Sequence, residues 1–267
     1  NESNESLQIF RFEDHIRRLR ASMKMMRMES MVPSDLDLIC AELLQRNGFT
    51  ENVHMMPTAY VGEGAGNVAL AKAAREGFFI TAVARPRSGF VDTGMRACIS
   101  TWIRNSDNNT PPRIKAAGNY QNGRLALGEA WAAGYDYSIM LNQGGTVSEG
   151  PGACLMMVSD GQVSTPPVTA GILESITRDA LIVLFQEKLG ITVVERLIDR
   201  TELYTADEVF VCGSGMDIVP IISVDNIAVR NSEKGPITEA IQGAYFQVGT
   251  GEDPAHPEWR TEVSQHD

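Results

Sequence analysis

With 267 residues, 43% of them hydrophobic and 21% charged, the chain has the make-up of a globular protein of one large or two modest domains, which excludes a disordered or fibrous polymer. A net charge of -11 leaves no basic face for a nucleic-acid partner, and no apolar run is long enough for a membrane span. Cys40, Cys98, Cys154 and Cys212 form no CxxC pair, and His15, His54, His256 and His266 lack metal-site spacing, so reduced cysteines in a cytoplasmic protein without a metal are expected. Asn1 to Ser6 is neither an initiator methionine nor a signal peptide, and the natural chain is expected to start earlier.

From Phe12, apolar Ile16, Leu19, Met23 and Met26 recur at helical spacing, with Arg17, Arg20 and Lys24 on the opposite side. Ser34 is expected to cap a second helix through Leu36, Ile39, Leu43 and Leu44, stopped by Asn47-Gly48. Strands are predicted at 53–61, 78–84 and 95–102. These elements read as a small α/β domain over 1–103.

The run Asn105 to Pro112 concentrates turn formers, so 104–112 is predicted to be an interdomain linker before a larger domain over 113–267. That domain is expected to contain a helix at 119–133 ended by Gly134, a Gly144-Gly145 turn and a hairpin at Asp160-Gly161. A helix at 176–189, strands at 191–197 and 208–212, and a helix opened by Pro236 complete it.

Of five lysines, Lys24, Lys72 and Lys188 fall on helix surfaces and Lys234 in a polar turn. Lys115 differs: Ala116, Ala117 and Gly118 leave room for a planar ligand, and a partly desolvated amine there would be more reactive. Spacing alone favours a solvated lysine after a linker.

The segment Lys115-Ala-Ala-Gly-Asn-Tyr120 resembles the KxxGNY segment of class IV, branched-chain-type aminotransferases. The resemblance continues through Phe10 to Leu19, Ser100-Thr-Trp102, Val147 to Gly150, Thr165-Pro-Pro167, Ser175 to Arg178, Ala206 to Phe210 and Gly213-Ser214, in the family's order. It implies an α/β, two-domain fold type IV enzyme that moves an amino group between a branched-chain-type amino acid and a 2-oxo acid. It also implies pyridoxal 5'-phosphate as cofactor and a homodimer or higher homo-oligomer.

By the same resemblance, Lys115 carries the cofactor, Tyr120 bonds its phenolic oxygen and Glu149 faces its ring nitrogen. A carboxylate there keeps the nitrogen protonated, so the ring can accept electrons. Arg18, Leu173, Ile176, Thr177 and Ser214 are expected around the cofactor. The helix opening at Ile176-Thr177 suits a phosphate, since free N–H groups and a positive dipole end meet there. His54, Met56, Gly213 and Gly215 are expected at the substrate. Without the resemblance, Tyr120 reads as a packing tyrosine, Glu149 as a turn residue and Thr177 as a helix-cap hydroxyl.

The chain departs from the family's pattern in several places. Met56 stands where an arginine for the substrate carboxylate is expected, and a thioether cannot pair with a carboxylate. Cys154 and Met156 replace an asparagine and an aromatic, and Ser175 replaces a glycine. By the resemblance, about forty more residues carrying the family's first strands are expected in front of this sequence, and without them the substrate pocket is expected to be incomplete. Met56 favours a runner-up, an (R)-selective amine or D-amino-acid transaminase. A different class, an NADP-dependent oxidoreductase, rests on Gly62-Glu-Gly64-Ala-Gly66 with Arg85 and Arg87 downstream, although the glycine spacing departs from the dinucleotide pattern. The third possibility is a non-catalytic relative that keeps the fold.

Overall fold

The computed structural model describes residues 7–28, 32–62 and 75–263. They form two compact units: Arg87–Ala255, and the described residues before and after it.

In the first unit, β1 (Gln8–Phe10) leads into α1 (Phe12–Met25), followed by α2 (Leu36–Arg46), β2 (Val53–Val61) and β3 (Glu76–Ala84). β2 and β3 pair antiparallel from Val53↔Ala84 to Val61↔Glu76. Strand alternation sends Met55, Phe78 and Ile80 onto Phe12, Ile16, Leu36 and Cys40, which form this unit's core. Ile16 and Met23 are buried as expected, whereas Met26 follows the last helical turn and is 53% exposed. Asp35, not Ser34, stands at the N-cap of α2, and no side chain caps that end.

The second unit opens with α3 (Phe90–Thr93) and β4 (Met95–Ile99). A single 3-10 turn, Ala117–Asn119, then leads into α4 (Tyr120–Ala132), β5 (Tyr137–Ile139), β6 (Cys154–Ser159) and β7 (Gln162–Thr165). The chain continues through α5 (Ile176–Leu189), β8 (Val194–Glu195), α6 (Glu202–Thr205), β9 (Glu208–Gly213), β10 (Asp217–Val224), β11 (Ile227–Ala228) and α7 (Pro236–Thr250). It then returns to the first unit, where β12 (Arg260–Glu262) pairs antiparallel with β1.

Eight strands make one mixed sheet in the order β5-β4-β10-β9-β6-β7-β8, with β11 attached to β10. β6 and β9 are buried on both faces, so their sequences read as nearly continuous apolar runs. Leu155, Met157, Val209, Val211, Val219 and Ile221 belong to the main core. The β6–β7 hairpin turns at Asp160 (φ 50) and Gly161 (φ 76), the two left-handed residues that a tight turn between right-twisted strands requires.

Several expectations give way. The predicted linker 104–112 lies inside the second unit, and the units part at Pro86/Arg87. The reason is that β4 is a sheet strand between β5 and β10, so the segment after it is bound into that unit, with Arg104 N donating to Leu141 O at 2.8 Å. β4 ends at Ile99 rather than 102 because Ser100 and Thr101 turn their hydroxyls to Glu129, at 2.6 and 2.5 Å. The strand predicted at 191–197 is only Val194–Glu195. β10 lacked a sequence signal, since Pro220 marks an unpromising strand interior. Here Pro220 pairs with Phe210 of β9, and the pairing with β4 begins one residue later, at Ile221.

Among the described residues, no helix is long and apolar enough to cross a membrane, and no cluster of His, Cys, Asp or Glu could hold a metal ion. The four cysteines are buried free thiols.

Candidate active site

Lys115 sits at the apex of a tight turn closed by Ala116 N donating to Ile114 O at 2.8 Å. Buried Asn119 holds the base of this loop, its Nδ2 donating to Pro111 O at 2.9 Å and Ile114 O at 3.0 Å. The following turn places Tyr120 as the first residue of α4, where its Oη receives a hydrogen bond from Lys115 Nζ at 2.6 Å. The five-residue spacing thus brings amine and phenol together. Lys115 is exposed, so it is not the desolvated amine that its small neighbours predict: alanine and glycine leave it in solvent.

Tyr120 lies against the loop after Glu149, since a Cβ built on Gly152 would stand 3.9 Å from its ring. Gly150 is required there: a Cβ would meet the Tyr137 ring at 2.4 Å. Burial pushes the Tyr137 phenol far up, and it accepts a 3.4 Å bond from Gly152 N.

Glu149 itself is buried, 3% exposed, and not the surface turn residue its glycine neighbour would suggest. Its Oε1 accepts from Arg104 Nε at 2.9 Å, Arg104 Nη2 at 2.5 Å and Leu173 N at 3.2 Å. Its Oε2 receives the Cys154 thiol at 3.5 Å, a weak donor. Burial pushes the Glu149 carboxyl above the usual range, and the Arg104 guanidinium pulls against that.

A third group forms at the opening of α5. Ser175 is its N-cap, with Oγ accepting from Arg178 N at 3.3 Å, and the first intrahelical bond runs from Asp179 N to Ser175 O. The N–H groups of Ile176 and Thr177 precede that bond, as at any helix start. Thr177 Oγ1 and Ser214 Oγ lie 3.3 Å apart, which joins the helix end to the β9–β10 turn. A Cβ on Gly213 would approach Gly152 O at 3.3 Å, so this turn adjoins the loop that Tyr120 packs on. The turn also carries Gly215, where a Cβ would meet open space. Arg178 is structural, bonded to Pro166 O at 3.0 Å and Glu195 at 2.6 Å.

The amino-transferase class IV family model matches residues 5–224. The chain belongs to the class IV aminotransferases. A "Probable branched-chain-amino-acid aminotransferase" of Aquifex aeolicus is 38% identical, covering 98% of this chain and 85% of that protein. The branched-chain-amino-acid aminotransferase of Escherichia coli K12 is 36% identical over 96% of this chain and 84% of its own length. Among solved structures, the branched-chain amino acid aminotransferase of Thermobaculum terrenum, in its PLP-form, superposes with a TM-score of 0.93 at 39% identity. That superposition covers 97% of this chain and 85% of that one.

The fold is accordingly fold type IV. The class IV match spans Gly62 to Gly66 and leaves the dinucleotide reading unsupported; Gly64 and Gly66, like Lys72, lie outside the described residues. Arg18, His54 and Met56 belong to the first unit. Arg18 is half-buried on α1, 3.4 Å from His15 Nδ1. His54 and Met56 occupy the face of β2 opposite the core, with Met56 47% exposed.

Sequence reading missed Arg104, the partner of Glu149. It stands at the edge of a turn-rich run, and its partner is 45 residues away, beyond the reach of any local pattern.

Proposed function

We propose that this class IV aminotransferase moves an amino group between a branched-chain-type amino acid and a 2-oxo acid, with pyridoxal 5'-phosphate held at Lys115. The observation that carries this reading is the 2.6 Å bond from Lys115 Nζ to Tyr120 Oη, on a loop that Asn119 fixes from beneath. The donor set of the second unit suits the cofactor group by group. Lys115 offers an amine for the aldehyde, Tyr120 a hydroxyl for the phenolic oxygen, and Glu149 a buried carboxylate for the ring nitrogen. Thr177, Ser214 and the N–H groups of Ile176 and Thr177 offer donors for the phosphate. Leu173 holds the carboxylate through its N–H.

When bound, the cofactor supplies the electron sink that lets the substrate's Cα–H bond break. Lys115 is then the group that takes the proton from Cα and returns it one position along, while Tyr120 holds the amine in line. Glu149 would offer its carboxylate to the ring nitrogen through this exchange. Arg18, His54, Met56, Gly213 and Gly215 are assigned to phosphate and substrate on resemblance. The homodimer and a cytoplasmic location belong to the same reading.

The deciding experiment adds pyridoxal 5'-phosphate to the chain and records the visible spectrum, then challenges it with L-leucine or L-glutamate. Expected are a band in the violet that each donor bleaches, and loss of both band and turnover in Lys115→Ala with the fold intact. A variant that keeps the band and full transamination would remove Lys115 from the site.

One observation favours a second reading, an (R)-selective amine or D-amino-acid transaminase. Met56 brings a thioether where a substrate carboxylate would need a donor, and an unpaired carboxylate is costly to bury. Faster bleaching by (R)-1-phenylethylamine than by L-leucine would select it, whereas outright preference for L-glutamate, with no gain in Met56→Arg, would exclude it.

A further inference from the structure

We propose that Arg104 is a positioning residue for the reaction: by saturating Glu149 Oε1 it fixes the carboxylate as an anion and leaves Oε2 for the cofactor's ring nitrogen. This rests on the reading of Glu149 given above.

The two carboxylate oxygens are unequally furnished. Oε1 takes three N–H donors, the forked Nε and Nη2 of Arg104 and the backbone N–H of Leu173, and has no capacity to spare. Oε2 has the Cys154 thiol at 3.5 Å, and that thiol also lies 3.6 Å from Leu173 O. A thiol that weak does not compete with a pyridinium N–H, so Oε2 remains the stronger acceptor.

Arg104 is itself prepared for this task. It is 8% exposed, and its backbone is pinned on both sides. Its N–H donates to Leu141 O at 2.8 Å, Ile103 O accepts from Asn122 Nδ2 at 3.0 Å, and Asn105 N donates to Asn122 Oδ1 at 3.3 Å. Asn122 stands two residues into the helix that begins with Tyr120. The segment that aims the guanidinium at Glu149 is therefore clamped by the helix that positions the amine's partner. Asn105 Nδ2 adds a 3.5 Å contact to Asn119 O in the lysine loop. The remaining Arg104 nitrogen, Nη1, is buried with no hydrogen-bond partner among the described residues, so among them the side-chain fork serves Glu149.

The electrostatics agree. The groups facing Glu149 are Arg104, Tyr137 of β5, Cys154 of β6 and Cys212 of β9. Burial pushes the carboxyl and all three of those acids up, and Arg104, by its charge and its hydrogen bonds, is the foremost group holding the Glu149 carboxyl down against that.

The test uses the holoenzyme loaded with pyridoxal 5'-phosphate labelled with 15N in its ring. The 15N chemical shift reports whether the ring nitrogen is protonated, independently of turnover. In wild type it is expected at the protonated value through neutral pH. Arg104→Met is expected to move it to the unprotonated value and to lower kcat about a hundredfold with KM for the amino donor little changed. Arg104→Lys, which keeps the charge and loses the fork, should recover part of both. Arg104→Met could fail to fold around an unpaired buried carboxylate, so Arg104→Met combined with Glu149→Gln is the companion. It should match Glu149→Gln alone in shift and rate, because Arg104 acts only through Glu149. A wild-type shift and pH profile in Arg104→Met, or a double variant well below Glu149→Gln in rate, would overturn the proposal. If Glu149→Gln itself leaves the shift unchanged, the site reading beneath the proposal falls instead.

Discussion

Two carboxylates are buried in the second unit, and they are held in opposite ways. Glu208, 4% exposed, lies at the start of β9 and reaches the opening of α7. Its Oε1 accepts from Ile237 N at 3.0 Å, and its Oε2 from Thr238 N and Thr238 Oγ1, both at 2.7 Å. Glu149, 3% exposed, instead takes an arginine fork and one N–H on a single oxygen and a thiol on the other. Both oxygens of Glu208 are occupied by donors of the fold, so this carboxylate acts as a helix cap supplied from a distant strand. Glu149 has one oxygen furnished so weakly that its environment makes sense only with a further donor. Burial alone does not separate a structural acid from a functional one, whereas the occupancy of each oxygen does.

The largest test of this contrast is to neutralise each acid in turn. Glu149→Gln is expected to cut turnover by about a hundredfold or more while the cofactor stays bound, because an amide cannot hold a ring nitrogen protonated but the phosphate donors remain. Unchanged kcat in a stopped-flow half-reaction would make Glu149 another cap. The next effect falls on Gly235. A Cβ there would come within 2.0 Å of the Glu208 carboxyl carbon, so Gly235→Ala must push the cap off the helix end. A loss of about 1–3 kcal/mol in urea denaturation is expected, with the rate per folded molecule unaffected. Glu208→Gln, which keeps one acceptor and faces the other side with an amide donor, should cost about 1–2 kcal/mol on the same readout. A marked change in kcat for either variant would break the division between the two acids.

The same contrast explains what could be read from the sequence. Lys115 and Tyr120 were picked out by the resemblance of one short segment, and their pairing is local: five residues and a single turn set the geometry. The α5 opening was legible for the same reason, with Ser175, Thr177 and the free first-turn N–H groups contiguous in the chain. Glu149 was found by resemblance, since its own setting beside Gly150 reads as surface. Its burial comes from Tyr137 and Arg104, which the sheet order brings to it. Arg104 was hidden twice, by a run of turn formers that looked like a linker and by a partner far along the chain. Helices α1, α5 and α7 followed from periodicity and end signals, whereas β10 did not. Pro220 is tolerated there because its unpaired neighbour edge ends just before Ile221, which is a property of the sheet rather than of the strand.

The smallest expected effect concerns pH, and its sign depends on which force prevails on Glu149. Burial raises the carboxyl above its ordinary value of 4.5, with Arg104, Leu173 N–H and the Cys154 thiol opposing. A group whose folded pKa is raised contributes stability that is fully present below the unfolded pKa and is lost as pH rises through the folded one. For the cofactor-free protein, ionising Glu149 in its buried setting therefore costs stability from the ordinary carboxylate range upward, by at most about 1.4 kcal/mol per pH unit inside that window. Replacing both members of the pair, Arg104→Met with Glu149→Gln, removes this titration. The double variant should gain stability relative to wild type as pH climbs from the ordinary carboxylate range, and the difference should level off once Glu149 is fully ionised. Urea midpoints measured across that range check it. If the double variant loses ground as pH rises, the carboxyl is depressed in the fold. Arg104 would then outweigh burial outright, and Glu149 would be as firmly an anion before the cofactor arrives as after.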